Sequence, residues 1–537
     1  MPKSHYHCCM KQHLIIAALL VFPWCISSTH AHTLAPLKKK QPTEVRQDLS
    51  AIEAKCLKSL TDFNVPGMAV AVVKDGKVVM SRGFGVKNTT TKEAVDAQTQ
   101  FAIASNSKAF TSAALAMLVD QGKLRWDDPV VQYLPYFQMY DPYVTAHMTV
   151  RDLLCHRSGL DTFSGDLIWY GSEHSREEVV KRSKHLEPSF GFRAGYGYNN
   201  IHFIAAGLVV EAVSGMTWDD FVQQNIMRPI GMVQANTSIT AFTPQSNKAT
   251  PHNENNGVNE PIDWVNWDNV GPAGSINAGA EEMTRWLLLQ LGKGTLDGKT
   301  YWKEARTHEM WENNTPKPVG TWQREHMPSR HFNGYGLGWE LMEYGGCKIV
   351  SHGGGYDGMI SKTVLVPEHN LGFVILTNNI NSLPSMLTYE ILDHYLQPKH
   401  KEDWYNVFLD MRNKDMVTAK IAEQEELANR AKDTKPSLAA KDYAGIYRSE
   451  MYGDVEVVVE SSGEMRIDFK PTALFKGTLT HWHYDTFQLK WSTKMMLPPG
   501  KVTFVLDNSG HPIEMRVEVI NPDFDFGELK LMKIQSK

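Results

Sequence analysis

The strongest constraint on this chain is the junction Phe101-Ala102-Ile103-Ala104-Ser105-Asn106-Ser107-Lys108, where a short apolar run passes into a helix with almost no polar side. Residues three apart on a helix share a face, with Cβ atoms roughly 5–6 Å apart, so the Lys108 amine can reach the Ser105 hydroxyl. A serine hydroxyl is a poor nucleophile until a neighbour takes its proton, and a lysine does so once burial or nearby charge lowers its pKa. From Ala109 to Val119 the apolar residues leave so little polar surface that the helix is expected to be enclosed on all sides. The pair alone is a weak signal, because a serine three residues before a lysine more often marks an exposed helix start.

The chain of 537 residues exceeds the usual single-domain range of about 50–250 residues, so two or three units are expected. A net charge of −5 and the lack of any basic block leave no footprint for nucleic acid, which points to a small-molecule or short-peptide partner. Residues 1–31 carry Lys3 and Lys11, the apolar run Leu14 to Trp24, and small residues ending at Ala31. This is the pattern of a signal peptide, and it predicts an exported protein, periplasmic or secreted. The apolar run is shorter than the about 20 residues a membrane-spanning helix needs, so no integral membrane segment is expected after cleavage. Cleavage leaves Cys56, Cys155 and Cys347, enough for at most one disulfide. No Cys/His spacing suggests a metal, and no cofactor is expected.

After a linker (32–43), apolar spacing from Val45 to Phe63 predicts a helix that stops at Pro66-Gly67. Met68–Val73 and Val78–Phe84 flank Lys74-Asp75-Gly76-Lys77, a hairpin signal. A helix, then antiparallel strands, then more helices reads as α+β. Thr149 to Gly159 reads as a short capped helix with a glycine stop, and His156 takes a structural or surface role there.

A second chemical stretch, Arg193-Ala194-Gly195-Tyr196-Gly197-Tyr198-Asn199-Asn200, precedes an apolar helix from Ile201 to Val213. From a turn, the Tyr198 phenol can relay a proton and the Asn200 amide can donate to a substrate carbonyl; packing under a loop is the competing role. The small residues from Gly271 to Ala280 suggest close backbone packing and carry no assigned chemistry. The third stretch, Val350-Ser351-His352-Gly353-Gly354-Gly355-Tyr356, puts three glycines on a strand, which suits close backbone approach by a ligand or else a glycine bulge. Gly355 N–H and Ser105 N–H can point at one oxyanion.

Ser105/Lys108, Tyr198/Asn200 and His352-Gly353-Gly354 stand in the order and at roughly the separations of the three motifs of the serine β-lactamase and penicillin-binding protein superfamily. The chain resembles its branch of class C β-lactamases, DD-peptidases, D-aminopeptidases and esterases across about residues 44–398. That resemblance implies an antiparallel sheet flanked by helices plus an all-helical subdomain. It implies Ser105 as nucleophile, Lys108 and Tyr198 sharing base and acid work, and Asn200, His352, Gly353 and Gly354 on the substrate. Ser105 and Gly355 would supply the oxyanion N–H groups. The third motif departs from the β-lactamase pattern, with His352-Gly353-Gly354 in place of Lys-Thr-Gly. Its loss of a fixed ammonium favours a peptide, D-amino-acid derivative or small ester over a β-lactam. β-Lactamase activity is one alternative. Non-catalytic binding of a β-lactam or a peptidoglycan fragment is the other.

Residues 399–436 read as a charged helical connector, with Trp404, Val407, Phe408 and Met411 able to pack back on the body. From 437 to 537 short alternating strands predict a small antiparallel barrel: Val455–Val459, Met465–Phe469, Phe487–Trp491, Val502–Leu506, Glu514–Val519 and Glu528–Met532. It resembles a lipocalin-like module of some relatives, which implies a part in shaping the cleft and in homo-oligomer formation. His481-Trp482-His483 offers two histidines, too few for a metal site, and reads as an aromatic strand.

Overall fold

Asp75 and Gly76 both take positive φ (51° and 75°), the backbone a two-residue hairpin turn needs, and they join strands Gly67–Lys74 and Lys77–Gly85. The computed structural model describes residues 48–534. The expected signal peptide and linker lie outside the described residues. Gly67–Lys74 pairs on its other edge with Leu371–Thr377. The eight-stranded antiparallel sheet then runs through Met359–Val366, Cys347–Tyr356, Glu340–Tyr344, Asn333–Tyr335 and Thr315–Lys317.

The central strands are apolar at nearly every position because both sheet faces are covered. Ala69, Ala71 and Val73 face one core, with the helices Ser107–Asp120, Ile201–Ser214 and Ala280–Leu291. Met68, Val70 and Val72 face the other, under Ser50–Asp62, Leu383–Leu396 and the start of Trp404–Asn429. Trp404 and Phe408 are buried there, and Val407 and Met411 pack against the same cluster.

Helix Ser107–Asp120 is buried from Ser107 to Leu118, as its sequence demands. The capped helix is shorter than its pattern suggested, only Val150–Leu153. The Thr149/Asp152 capping box forms, but His156 turns to φ 58° and takes the chain out of the helix before Gly159. Cys56, Cys155 and Cys347 are free thiols.

The C-terminal strands close into an eight-stranded antiparallel barrel. One of its strands, Gly445–Ser449, escaped the sequence reading, and of another, Lys476–His483, only the aromatic end at His481-Trp482-His483 was read. The second mixes glycine, threonine and histidine, so its alternation is faint. Glu528 lies in a 3₁₀ turn, Phe526–Leu529, and the last strand is Leu531–Lys533. Buried Tyr447, Phe469, Phe475, Phe487 and Phe504 fill the barrel with rings in mutual contact. The middle residue of the histidine pair, Trp482, is buried beneath the Arg430 guanidinium.

The barrel packs on the helical subdomain. Ser172 bridges Thr472, and Glu173 N–H donates to Pro471 O. The Tyr170 ring lies 4.5 Å from Phe524 and 5.7 Å from Phe475.

Candidate active site

Ser105 sits in a single 3₁₀ turn, Ala104–Asn106, that feeds directly into the buried helix. Ala104 holds φ 47°, an uncommon conformation for a residue with a Cβ. Asn106 N–H donates to Ile103 O, while the Ser105 N–H is among the donors a helix start leaves without an internal partner. Strand Cys347–Tyr356 holds this turn from one side. A Cβ on Gly354 would stand 2.2 Å from Ile103 O and 3.1 Å from Ala104 Cβ, so the glycine is required for packing against the turn that carries Ser105. Ser361 Oγ, on the neighbouring strand, donates to Ile103 O and accepts from Asn106 Nδ2.

Lys108 is fully buried with three oxygens around Nζ: Ser105 Oγ at 3.0 Å, Asn200 Oδ1 at 2.6 Å and Ala273 O at 3.1 Å. Burial pushes its ammonium down to about 7, with Asp166 pulling weakly the other way. A neutral amine has two N–H bonds and one lone pair, which fits two carbonyl acceptors and one incoming hydroxyl proton. The Tyr198 hydroxyl also meets Ser105, and its ring lies 4.7 Å from Lys108 Nζ. Burial raises the phenol far above its ordinary range, so Tyr198 is protonated at neutral pH.

Asn200 was expected to reach toward substrate. Instead both ends of its amide have internal partners, Lys108 on the oxygen and Asp166 Oδ2, 2.6 Å away, on the nitrogen. Asp166 also accepts from Trp169 Nε1, and burial pushes its carboxyl up to about 8. Sequence reasoning missed Asp166. Its signal was an acid set directly before the apolar run Leu167-Ile168-Trp169, a place where a charge needs a buried partner. It also missed Ala273, whose role is carried by a backbone carbonyl.

His352 is buried, and burial pushes it down to about 3. Its Nδ1 lies 2.5 Å from Gly353 O and its Nε2 lies 2.7 Å from the Tyr335 hydroxyl. A neutral ring satisfies both by donating from Nδ1 and accepting at Nε2. His352 therefore offers no positive charge. His156 is buried too, accepting from Asn199 N–H with its ring 4.2 Å from Tyr198, so it braces the second motif from behind.

Strand Glu340–Tyr344 pairs only as far as Ser351, which leaves His352 to Tyr356 unpaired on that edge. Gly353 and Gly355 line the cavity there, together with Ser105, Tyr198, Asn200 and His352. The cavity measures about 630 Å³. Its walls come from Phe163, Trp169, Tyr170 and Trp267 of the body, and its roof from Leu497, Asp523 and Phe524 of the barrel.

Fold and cleft together define a β-lactamase-type hydrolase scaffold carrying a second domain. Residues 51–393 match the Beta-lactamase family model, and the chain belongs to that family. Residues 429–533 match a domain of unknown function, DUF3471. The chain is 27% identical over 422 residues to the unguisins hydrolase ungD' of Aspergillus campestris, covering 74% of this chain and 76% of that protein. Protein flp of Staphylococcus aureus is 25% identical over 350 residues, 62% of this chain and 64% of its own length. Among solved structures, the octameric penicillin-binding protein homologue from Pyrococcus abyssi aligns with TM-score 0.59 and 19% identity over 90% of this chain and all of its own. The D-amino acid amidase from Ochrobactrum anthropi aligns with TM-score 0.52 and 22% identity over 65% of this chain and 97% of its own. At these identities the structural likeness is one of fold.

Proposed function

We infer that the protein is an exported serine hydrolase that cleaves an amide or ester of a peptide, D-amino-acid derivative or small ester through an acyl-enzyme on Ser105. The observation that carries this reading is the set of three oxygens around Lys108 Nζ, which suits a neutral amine accepting the Ser105 proton. As Oγ bonds to the substrate carbonyl carbon, Nζ takes its proton, and the carbonyl oxygen gains charge facing the Ser105 and Gly355 N–H groups. Collapse breaks the bond to the leaving group, which takes a proton from the Tyr198 hydroxyl. The Lys108 ammonium restores that proton and returns to the neutral amine. Water then attacks the acyl carbon, the same groups move its proton, and Ser105 is released. Asn200 and Asp166 act on Lys108, and Gly353 with the open strand edge aligns an extended substrate.

Relatives named as hydrolases and a fold shared with a D-amino acid amidase support this reading over a binding protein. Self-association through the barrel belongs to the same proposal. The test is intact-protein mass after a fluorophosphonate, beside Ser105→Ala, with turnover of short esters and D-amino-acid amides. An adduct mapping to Ser105, absent in the variant, is expected. Hydrolysis unchanged by Ser105→Ala would remove the assignment.

A further inference from the structure

The cavity is lined by four carboxylates, Asp166, Glu340, Asp357 and Asp523, and by no lysine or arginine among the described residues. Two of the four are committed. Asp166 serves Asn200 and Trp169, and Glu340 is paired with Lys362 and Lys317. The other two have no cation beside them. Asp357 is 8% exposed and accepts from the Tyr170 hydroxyl at 2.6 Å through Oδ1, with Trp267 against the same carboxylate, and the charged group acting on it is Asp523. Asp523 comes from the barrel loop beside Phe524, and its carboxylate faces no protein cation. It lies close enough to raise the pKa of Asp357, Tyr170 and Asp166 through its charge.

The walls between them are aromatic. Trp267 lies 4.7 Å from Tyr356 and 5.0 Å from Trp169, and Phe524 lies 4.5 Å from Tyr170. Rings and uncompensated carboxylates attract an organic cation and repel a carboxylate. Two like charges facing one cavity are costly until a cation enters.

We propose that Asp357 of the body and Asp523 of the barrel form a subsite for an ammonium group, so that the enzyme selects amine-bearing amides or esters over carboxylate-bearing ones. The inference rests on the Ser105 hydrolase reading for its consequence in catalysis, but binding reads it separately. The barrel thereby supplies part of the specificity, and a β-lactam carboxylate meets repulsion in place of an anchor.

The test titrates D-phenylalaninamide, its N-acetyl derivative and the anionic N-acetyl-D-phenylalanine into Ser105→Ala protein by calorimetry, then into the same protein carrying Asp523→Asn or Asp357→Asn. The amine should bind about 10–100-fold more tightly than its acetylated form, with the anion weakest. Asp523→Asn, on an exposed loop where folding is not at risk, should remove most of that preference. Equal binding of amine and acetylated amide, or a preference that survives Asp523→Asn, would overturn the proposal. Fluorophosphonate labelling of the wild-type protein separates the two readings. Labelled Ser105 without amine preference removes only the subsite, and amine preference without labelling removes only the hydrolase mechanism.

Discussion

Asn200 accepts a hydrogen bond from Lys108 at 2.6 Å, and the same amide donates to Asp166, so one side chain ties the buried amine to a buried acid. Burial drives both the lysine and the acid toward their neutral forms. The groups facing Lys108 are Ser105, Asn200, the Ala273 carbonyl and the Tyr198 ring, and the one carboxyl acting on it through charge is Asp166.

On the proposed mechanism a neutral lysine is the active form, so kcat/KM should rise with pH through about 7 and level off above it. Burial holds the Asp166 carboxyl protonated up to about 8, so it carries little charge where Lys108 titrates. Asp166→Asn should therefore leave the acidic limb of the profile nearly in place. A limb that moves clearly to lower pH would show that Asp166 is ionised beside the lysine. Stopped-flow or plate kinetics on a neutral ester across pH 5–9 reads the shift.

Tyr198→Phe keeps the ring that packs on His156 and Phe163 but deletes the hydroxyl. Its kcat should fall about 10²–10⁴-fold with KM little changed, the size expected for loss of one acid–base group. An unaltered kcat would place proton delivery to the leaving group elsewhere.

Gly354→Ala forces a methyl toward Ile103 O, where the chain enters the Ser105 turn, and toward Ser361 Oγ, which donates to that oxygen from the neighbouring strand. Overpacking of this kind costs about 1–3 kcal/mol. Because the strain falls on the turn carrying Ser105, the variant should also label more slowly with a fluorophosphonate. Gly353→Ala, whose nearest neighbour is 4.0 Å away, should keep wild-type stability. Thermal melts of the two variants decide the matter.

Asp152 is buried, caps the Thr149 helix and holds Arg157 and Arg193. Burial pushes its carboxyl up, but Arg193, Thr149 and Arg157 outweigh that and keep it below its ordinary value. A depressed carboxylate stabilises the fold above its unfolded pKa of about 3.9, and that contribution is lost as pH falls through the lower folded value. Asp152→Asn should cost about 1–3 kcal/mol at neutral pH, the loss of charged hydrogen bonds to Arg157 and to a partly exposed Arg193. The gap between variant and wild type should narrow on acidification. A gap constant with pH would count against the ion pairs as the cause.

The hairpin, the buried helix and all three motifs were legible because each depends on local pattern: Asp75-Gly76 in a turn, Ala109 to Val119 without a polar face, glycines at 353 to 355. What could not be read depends on contacts between distant segments. Asp166 reaches Lys108 only through Asn200, and Ala273 acts through a carbonyl that every residue possesses. Asn200 has the amide chemistry for substrate, and its two ends are held by Lys108 and Asp166. Asp523 lies more than 400 residues from Ser105, and only the docking of the barrel brings it to the cleft.

That docking has a hinge point at Glu528. Its carboxylate accepts from Ser164 Oγ at 2.5 Å and from Gly165 N–H at 2.8 Å, and the next residue is Asp166. A barrel side chain therefore fixes the loop that fixes Asn200 and, through it, the base. Glu528→Ala leaves the Gly165 N–H without its acceptor, a loss of about 1–3 kcal/mol if the group stays buried. Amide exchange should quicken at Ser164 to Asp166, and kcat should fall while barrel melting is kept, since Glu528 lies in the turn and outside the barrel strands. Glu528→Gln retains one acceptor oxygen and should recover part of both. If kcat is untouched by Glu528→Ala although exchange has quickened, the loop moves without moving Lys108. The barrel would then act on catalysis only through the residues it places in the cleft.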